Sequence, residues 1–156
     1  MLSLASYRQS ETGTAAIEAA FALPFLILIG FASIDGSLLL IQNHKAETGL
    51  VSAGNYLAKT ATPSNFEARA KRLATTGQMT TGGDRKITNW NENDVVIDYK
   101  SIANPNGQNY RGGDTIKVVK LSTTIPFQGL GFIKSVSGGT ISIKADYEER
   151  LIAVRS

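Results

Sequence analysis

The chain has 156 residues, a net charge of +3 and no cysteine. The lack of cysteine excludes disulfides, thiolate metal sites and a cysteine nucleophile, and the length allows one domain beyond a membrane anchor. Sixteen basic and thirteen acidic residues are scattered along the sequence, so the charge does not indicate nucleic-acid binding.

The first predicted element is an apolar helix near the N-terminus. From Ala19 to Ile41 the sequence has no Lys or Arg, and Asp35 is the single acid. At a rise of about 1.5 Å per residue, about 20 helical residues cross a bilayer core of roughly 30 Å. The run therefore predicts one membrane-spanning helix over about residues 19–41. Glu18 lies at its edge, where a carboxylate is costly unless it stays at the interface or finds a partner.

A cleaved secretory signal and the buried helix of a soluble protein are the alternatives for this run. The apolar part of a signal is usually about 7–15 residues long and follows a basic flank. Here the run is longer, and its flank holds Arg8 against Glu11 and Glu18. The length also argues against a buried core helix, so we favour a retained membrane helix. Arg8 and Lys45 flank the run on opposite sides, so charge bias does not fix its orientation.

Three short motifs mark this region: GTAAIE at residues 13–18, ALP at 22–24 and an acid–glycine pair at 35–36. This pattern resembles the start of a TadE-like minor pilin, or pseudopilin, of tight-adherence (Flp-type) type IV pili. Members of that family carry a small residue before a Glu-containing apolar helix, an early proline and an acid–glycine pair near the far end. The resemblance implies a pilin-like fold, in which a long N-terminal helix leads into a small β-rich domain.

The resemblance also implies a processing site and an assembly residue. A prepilin peptidase would cut after Gly13, removing a short leader at residues 1–13 and leaving Thr14 as the new N-terminus. Glycine suits that bond because it lies extended in a protease cleft without a side-chain clash. Glu18 would then pair with the amine of a neighbouring Thr14, so that neither charge stays alone in an apolar bundle. An interfacial Glu18 that only marks the end of the span is the alternative.

The partners and location follow from the same resemblance. It implies a single-pass protein of the bacterial inner membrane with an extracytoplasmic C-terminal domain, assembled into a surface pilus. The implied partners are the membrane, other pilins of the same pilus, a prepilin peptidase and the inner-membrane assembly platform. No nucleic acid, metal or cofactor is expected.

The helix is predicted to continue beyond the apolar run. Apolar residues recur at spacings of three and four through Ala46, Leu50, Ala53 and Leu57, which keeps one helical face apolar. We therefore predict one long helix over residues 14–61, with its second half packed under a globular head. Small residues on this half, Gly49 and Gly54 among them, allow another element to approach closely.

The remaining sequence, residues 62–156, predicts an α+β head. A second helix starts with Pro63 and a Ser64–Glu67 capping box and stops at Gly77. Three strands with alternating apolar residues follow, and a change of parity suggests a bulge near Val118–Val119. One face of the sheet packs on helices and the other faces water, as in an antiparallel meander. Trp90 and Tyr110 fall in loops, where they are available to a partner.

The sequence shows little that resembles a reactive site. His44 has no cysteine or second histidine to form a metal site or triad. The asparagines within residues 89–93 resemble the first ligands of a calcium loop, but Asp94 replaces the required glycine and Lys100 the bidentate glutamate. The sequence therefore predicts no catalytic residues and no enzyme activity.

These observations favour a membrane-anchored minor pilin or pseudopilin with a structural role in pilus assembly, in priming or at the tip. The first alternative is a single-pass envelope protein whose head binds a ligand or surface without pilus assembly. A secreted hydrolase-like domain behind a signal sequence ranks last, because no catalytic constellation supports it.

Overall fold

The computed structural model describes residues 4–105 and 114–152, with side chains described from residue 13 onward. It confirms the α+β class: a long N-terminal helix, a further helix and a three-stranded antiparallel sheet. Two short 3₁₀ turns, Pro63–Phe66 and Glu92–Asp94, lie between the larger elements. In chain order the elements are α1 (Leu4–Ala58), α2 (Glu67–Thr76), β1 (Val95–Ala103), β2 (Thr115–Pro126), α3 (Phe132–Ser137) and β3 (Ser142–Arg150).

Helix α1 is continuous for 55 residues, Pro24 included, which corresponds to about 80 Å. It begins at Leu4, so it already includes the predicted Gly13–Thr14 processing bond. The hydroxyls of Ser33 and Ser37 donate to helix carbonyls four residues earlier, each at 2.8 Å. These two hydroxyls are thus satisfied within the helix itself.

The two halves of α1 have opposite surroundings. Between residues 13 and 34 every side chain except that of Ala32 is exposed. Beyond that point the apolar face predicted from the periodicity is fully buried, and Ala46, Leu50, Ala53 and Leu57 are all at 0% exposure. The second half of α1 therefore forms part of the core of the head. The division of the sequence into a leader, a helix over 14–61 and a head over 62–156 stays a prediction.

The sheet is a simple meander in the order β1-β2-β3, with both pairs antiparallel. Residue pairs run without interruption, for example Tyr99 with Val119 and Lys100 with Val118. The bulge predicted near Val118–Val119 is therefore wrong. Val119 faces the helices, whereas Val118 is buried on the other face, where its cross-strand neighbours are the long side chains of Lys100 and Arg150. Coverage of both faces at this end of β2 explains the change of parity.

Glycines on α1 allow the other elements to approach it closely, as predicted. A Cβ at Gly54 would lie 2.7 Å from the Tyr147 ring of β3. At Gly49 it would lie 2.5 Å from the carbonyl oxygen of Ala74 on α2 and 2.6 Å from the Trp90 ring. Neither space admits a methyl group without movement of a neighbour, so the two glycines set the distance between α1 and its partners.

Trp90 belongs to the core, which corrects the expectation that it is available to a partner. It is fully buried, and its indole N–H donates to the hydroxyl of Thr123 at 2.9 Å. That hydroxyl in turn donates to the carbonyl of Asp94 at 2.9 Å. The 3₁₀ turn that follows Trp90 is closed by a capping box, in which the backbone N–H of Asn91 donates to the Asp94 carboxylate at 2.7 Å. Tyr110 lies outside the described residues.

The start of α2 also differs from the prediction. The chain first makes the 3₁₀ turn at Pro63–Phe66, so α2 begins at Glu67 and the Ser64–Glu67 capping box does not form. Phe66 instead makes an edge-to-face contact with Tyr56 of α1 at 6.2 Å between ring centroids. At its other end α2 stops at Gly77, as predicted, with a φ of 81° that suits glycine.

Gly54→Ala is expected to destabilise the head, because the added methyl group overlaps the Tyr147 ring. We expect the free energy of unfolding to fall by about 1–3 kcal/mol, the usual cost of overpacking. The measurement is chemical unfolding of the full chain in detergent, followed through the fluorescence of Trp90, its single tryptophan. Gly30→Ala is the control, because a Cβ there meets nothing within 4 Å. Equal unfolding midpoints for the two variants would contradict this packing.

Candidate functional site

The predicted site residues lie on the exposed half of α1, away from the head. Gly13, Thr14 and Glu18 are all exposed, and a Cβ on Gly13 would meet nothing within 4 Å. Thr14 and Glu18 are four residues apart and so share one face of the helix. From Glu18 to Asp35 the helix rises by roughly 25 Å. Processing at Gly13–Thr14 and pairing through Glu18 remain predictions.

The surface around these residues is apolar on all sides. The large side chains of this half have exposed fractions that reach 72% for Phe21 and 66% for Phe25. Within the described part of the chain, one helical stretch, Gly13–Ala58, is long and apolar enough to cross a membrane, and its most apolar part has no buried residues. An apolar surface of this kind needs lipid or other helices around it.

Asp35 marks the point where the head begins to cover α1. Its side chain is fully buried although it is charged. One carboxylate oxygen accepts the backbone N–H of Leu130 at 2.5 Å, and the other accepts that of Ile133 at 3.0 Å. Both donors belong to the segment that connects β2 to β3. A buried carboxylate is tolerated when backbone N–H groups satisfy it, so Asp35 ties this connection to α1.

The connection between β2 and β3 is shaped to bring these N–H groups to Asp35. Gly131 has a φ of 96° and turns the chain into α3. At Gly129 a Cβ would clash with the Asp35 carboxylate and lie 2.6 Å from the Phe127 ring. Position 129 requires glycine because no space is left for a Cβ between the Asp35 carboxylate and the Phe127 ring. Position 131 favours glycine because its φ is positive.

A second contact fixes the direction of this connection along α1. The side-chain amide of Gln42 donates to the carbonyl of Gln128 at 2.7 Å. Gln42 and Asp35 are seven residues apart, two helical turns on the same face, or about 10 Å. From Gln128 to Ile133 the chain therefore runs toward the apolar half of α1. Sequence analysis identified Asp35 as the single acid of the apolar run but gave it no partner, because its donors lie about a hundred positions away (Leu130 and Ile133).

The other polar groups that the structure describes in the head lie apart from Asp35. Among residues 13–105 and 114–152, no three His, Cys, Asp or Glu side chains are placed to hold a metal ion. His44 is exposed on α1. On the outer face of the sheet, Lys100 lies 3.2 Å from Glu148, and its hydrogen bond holds the pKa of Glu148 below the ordinary value. Exposed pairs of this kind contribute little to stability.

Comparison with known proteins gives one family match, and it lies within α1. The family model described as TadE-like protein matches residues 13–54. The resemblance to TadE-like proteins is confirmed. The searches of curated proteins and of solved structures gave no match.

The TadE-like segment runs from the predicted processing glycine to Gly54, at the contact with Tyr147. It includes Glu18, the whole exposed apolar half of α1 and Asp35. The partners of Asp35 in the β2–β3 connection lie outside it. The TadE-like part of α1 thus carries both the exposed apolar surface and the carboxylate that binds the β2–β3 connection.

Asp35→Ala is expected to release the β2–β3 connection, because the partly buried N–H groups of Leu130 and Ile133 lose their acceptor. A fully buried polar group left unsatisfied costs about 1–3 kcal/mol, so the cost here lies toward the lower end of that range. Hydrogen–deuterium exchange of residues 128–137 in the full chain measures the effect, and we expect these amides to exchange faster while those of β2 are unchanged. Asp35→Asn keeps one acceptor oxygen and should show a smaller change.

Gly129→Ala tests the same contact from the other side, because its methyl group pushes against the Asp35 carboxylate. Gly139→Ala is the matched control, since a Cβ there meets nothing within 4 Å. Unaltered exchange of residues 128–137 in both Asp35→Ala and Gly129→Ala would show that the carboxylate does not hold the connection.

Proposed function

We propose that this chain is a membrane-anchored minor pilin, or pseudopilin, of a tight-adherence pilus, with a structural and non-catalytic role in assembly, in priming or at the tip. The observation that carries the proposal is α1, a TadE-like helix whose apolar half is exposed and whose other half is the core of a small head. A tight-adherence pilus is the setting that the TadE-like match supports. In this function the protein resides in the inner membrane with its head outside the cytoplasm.

The exposed half of α1 suits a subunit that moves between two apolar surroundings. In the membrane, lipid covers the surface from residue 13 to residue 34. In a pilus, neighbouring helices would cover the same surface, so leaving the bilayer need not expose it to water. Other pilins of the same pilus and the inner-membrane assembly platform are the partners that this transfer requires.

Processing is the first test of the proposal. Gly13 is exposed within α1, where glycine weakens the helix and can take an extended backbone without a side-chain clash. A prepilin peptidase is therefore expected to bind this turn unwound, cut after Gly13 and leave Thr14 as the N-terminus. Intact-mass measurement of protein from native membranes should give the mass of residues 14–156. Gly13→Leu should block cutting, whereas Gly30→Leu, in the same exposed half, should leave it unchanged. A wild-type mass that starts at Met1 would exclude the processed pilin and leave the membrane anchor intact.

Glu18→Ala tests assembly. If Glu18 pairs with a neighbour's Thr14 amine in an apolar bundle, its removal leaves that amine unpaired, at a cost on the order of 3–5 kcal/mol. Membrane insertion should survive, because the helix becomes more apolar. The measurement is the amount of the protein in sheared surface pili relative to the amount in membranes, and we expect a strong fall in the pilus fraction.

The matched control is Glu47→Ala, which removes an exposed carboxylate from the other half of α1. It should reach the pili as wild type does. If Glu18→Ala also does so, with cleavage after Gly13 intact, Glu18 is only an interfacial residue. If the wild-type chain is in membranes but never in pili, the protein is instead a single-pass envelope protein whose head acts without pilus assembly.

A further inference from the structure

We propose that the β2–β3 segment, residues 127–141, is a foot with which the head rests on the lipid bilayer. This inference rests on the membrane anchoring in the proposed function and does not depend on pilus assembly. It concerns a surface of the head outside the TadE-like segment, and the partner it names is a phospholipid interface with anionic headgroups.

The foot exposes apolar side chains close to one basic residue, and its sequence contains no acidic residue. Leu130 is 60% exposed and Val136 is 74% exposed. Residues 127–141 contain no Asp or Glu, and Lys134 is their one charged residue. Apolar side chains next to a lysine suit the boundary between acyl chains and anionic headgroups.

The foot lies at the end of the head that is nearest to the apolar half of α1. Its contacts proceed from Gln42 to Asp35, toward that half. The opposite end of the head is marked by Ile152, whose N–H donates to the carbonyl of Ala58 at 2.9 Å. Asp35 and Ala58 are separated by about 35 Å along the helix.

The length of the exposed apolar half places the membrane surface at the foot. From Glu18 to Asp35 the helix rises by roughly 25 Å, close to the hydrocarbon thickness of roughly 30 Å, so the two carboxylates lie at its two edges. Asp35 then falls at the interface, where the N–H groups of the foot cover its carboxylate. A bilayer that surrounds α1 up to Ile34 therefore meets Leu130 and Val136 at headgroup depth.

The size of the foot favours lipid over a protein partner. Specific protein interfaces bury about 1,200 Å² or more in total, which two apolar side chains and one lysine do not provide. A lipid interface needs no matching shape, and the foot continues the apolar surface that α1 already presents to it. Contact at a second point would hold the head in a fixed orientation on the membrane.

The chain has no cysteine, so single-cysteine variants can carry an environment-sensitive NBD fluorophore without background. Val136→Cys reports on the foot. Ile152→Cys is the control, since it is equally exposed, at 75%, and lies at the far end of the head. Phe25→Cys, within the apolar half and 66% exposed, reports on the anchor itself. The full chain is reconstituted into phosphatidylcholine vesicles with and without phosphatidylglycerol, and lipids with a nitroxide near the headgroup act as quenchers.

We expect NBD at position 136 to emit at shorter wavelength than at position 152 and to be quenched several-fold more by the nitroxide lipids. Phosphatidylglycerol should strengthen the quenching, and Lys134→Glu should abolish that increase. If NBD at position 136 is quenched no more than at position 152 while NBD at position 25 is quenched, the proposed lipid contact of the foot is wrong and the membrane anchoring of α1 is supported. A shift to shorter wavelength at position 136 without nitroxide quenching would overturn lipid contact in favour of a protein partner. If NBD at position 25 is not quenched either, α1 is not in the bilayer, and both the membrane anchoring and the lipid contact of the foot are wrong.

Discussion

Asp35 is the residue on which the arrangement of helix and head depends. A carboxylate at the end of an apolar run would have to stay in water or be paired, and the two N–H groups of the β2–β3 segment meet that need inside the protein. The same bonds hold this segment against α1, so one polar contact satisfies the Asp35 carboxylate and positions the β2–β3 segment. On the N-terminal side of Asp35 the helix is exposed on nearly all sides, and on the C-terminal side one of its faces forms part of the core.

This division explains how one helix serves two purposes. The buried half is built from small residues that let α2, β3 and Trp90 approach closely, as at Gly49 and Gly54. The exposed half has large apolar side chains on every face, such as Phe21 and Phe25. Helix α1 is continuous through both halves, so no loop separates the exposed apolar surface from the core of the head.

Local patterns in the sequence predicted much of the fold. Spacings of three and four identified the buried face through Leu50 and Leu57, and alternation identified the strands. What failed depended on contacts between distant residues. Trp90 looked available to a partner because Thr123, which accepts its indole N–H, lies on β2, 33 positions away. The apparent bulge at Val118 arose because both faces of β2 are covered there. For the site, a motif predicts Gly13 and Glu18, which stay predictions, whereas the contact of Asp35 needed the three-dimensional position of Leu130 and Ile133.

Packing against the head explains some of the glycines of α1 and leaves others unexplained. A methyl group at Gly49 or Gly54 would collide with a side chain or backbone of the same molecule, so packing accounts for both. At Gly13 and Gly30 the added Cβ meets nothing within 4 Å, although glycine inside a helix costs about 1 kcal/mol relative to alanine. Contacts within the molecule therefore give no reason for these two residues. Under the proposed function the reasons lie outside the chain, in a peptidase cleft at Gly13 and in the surroundings of the apolar half at Gly30.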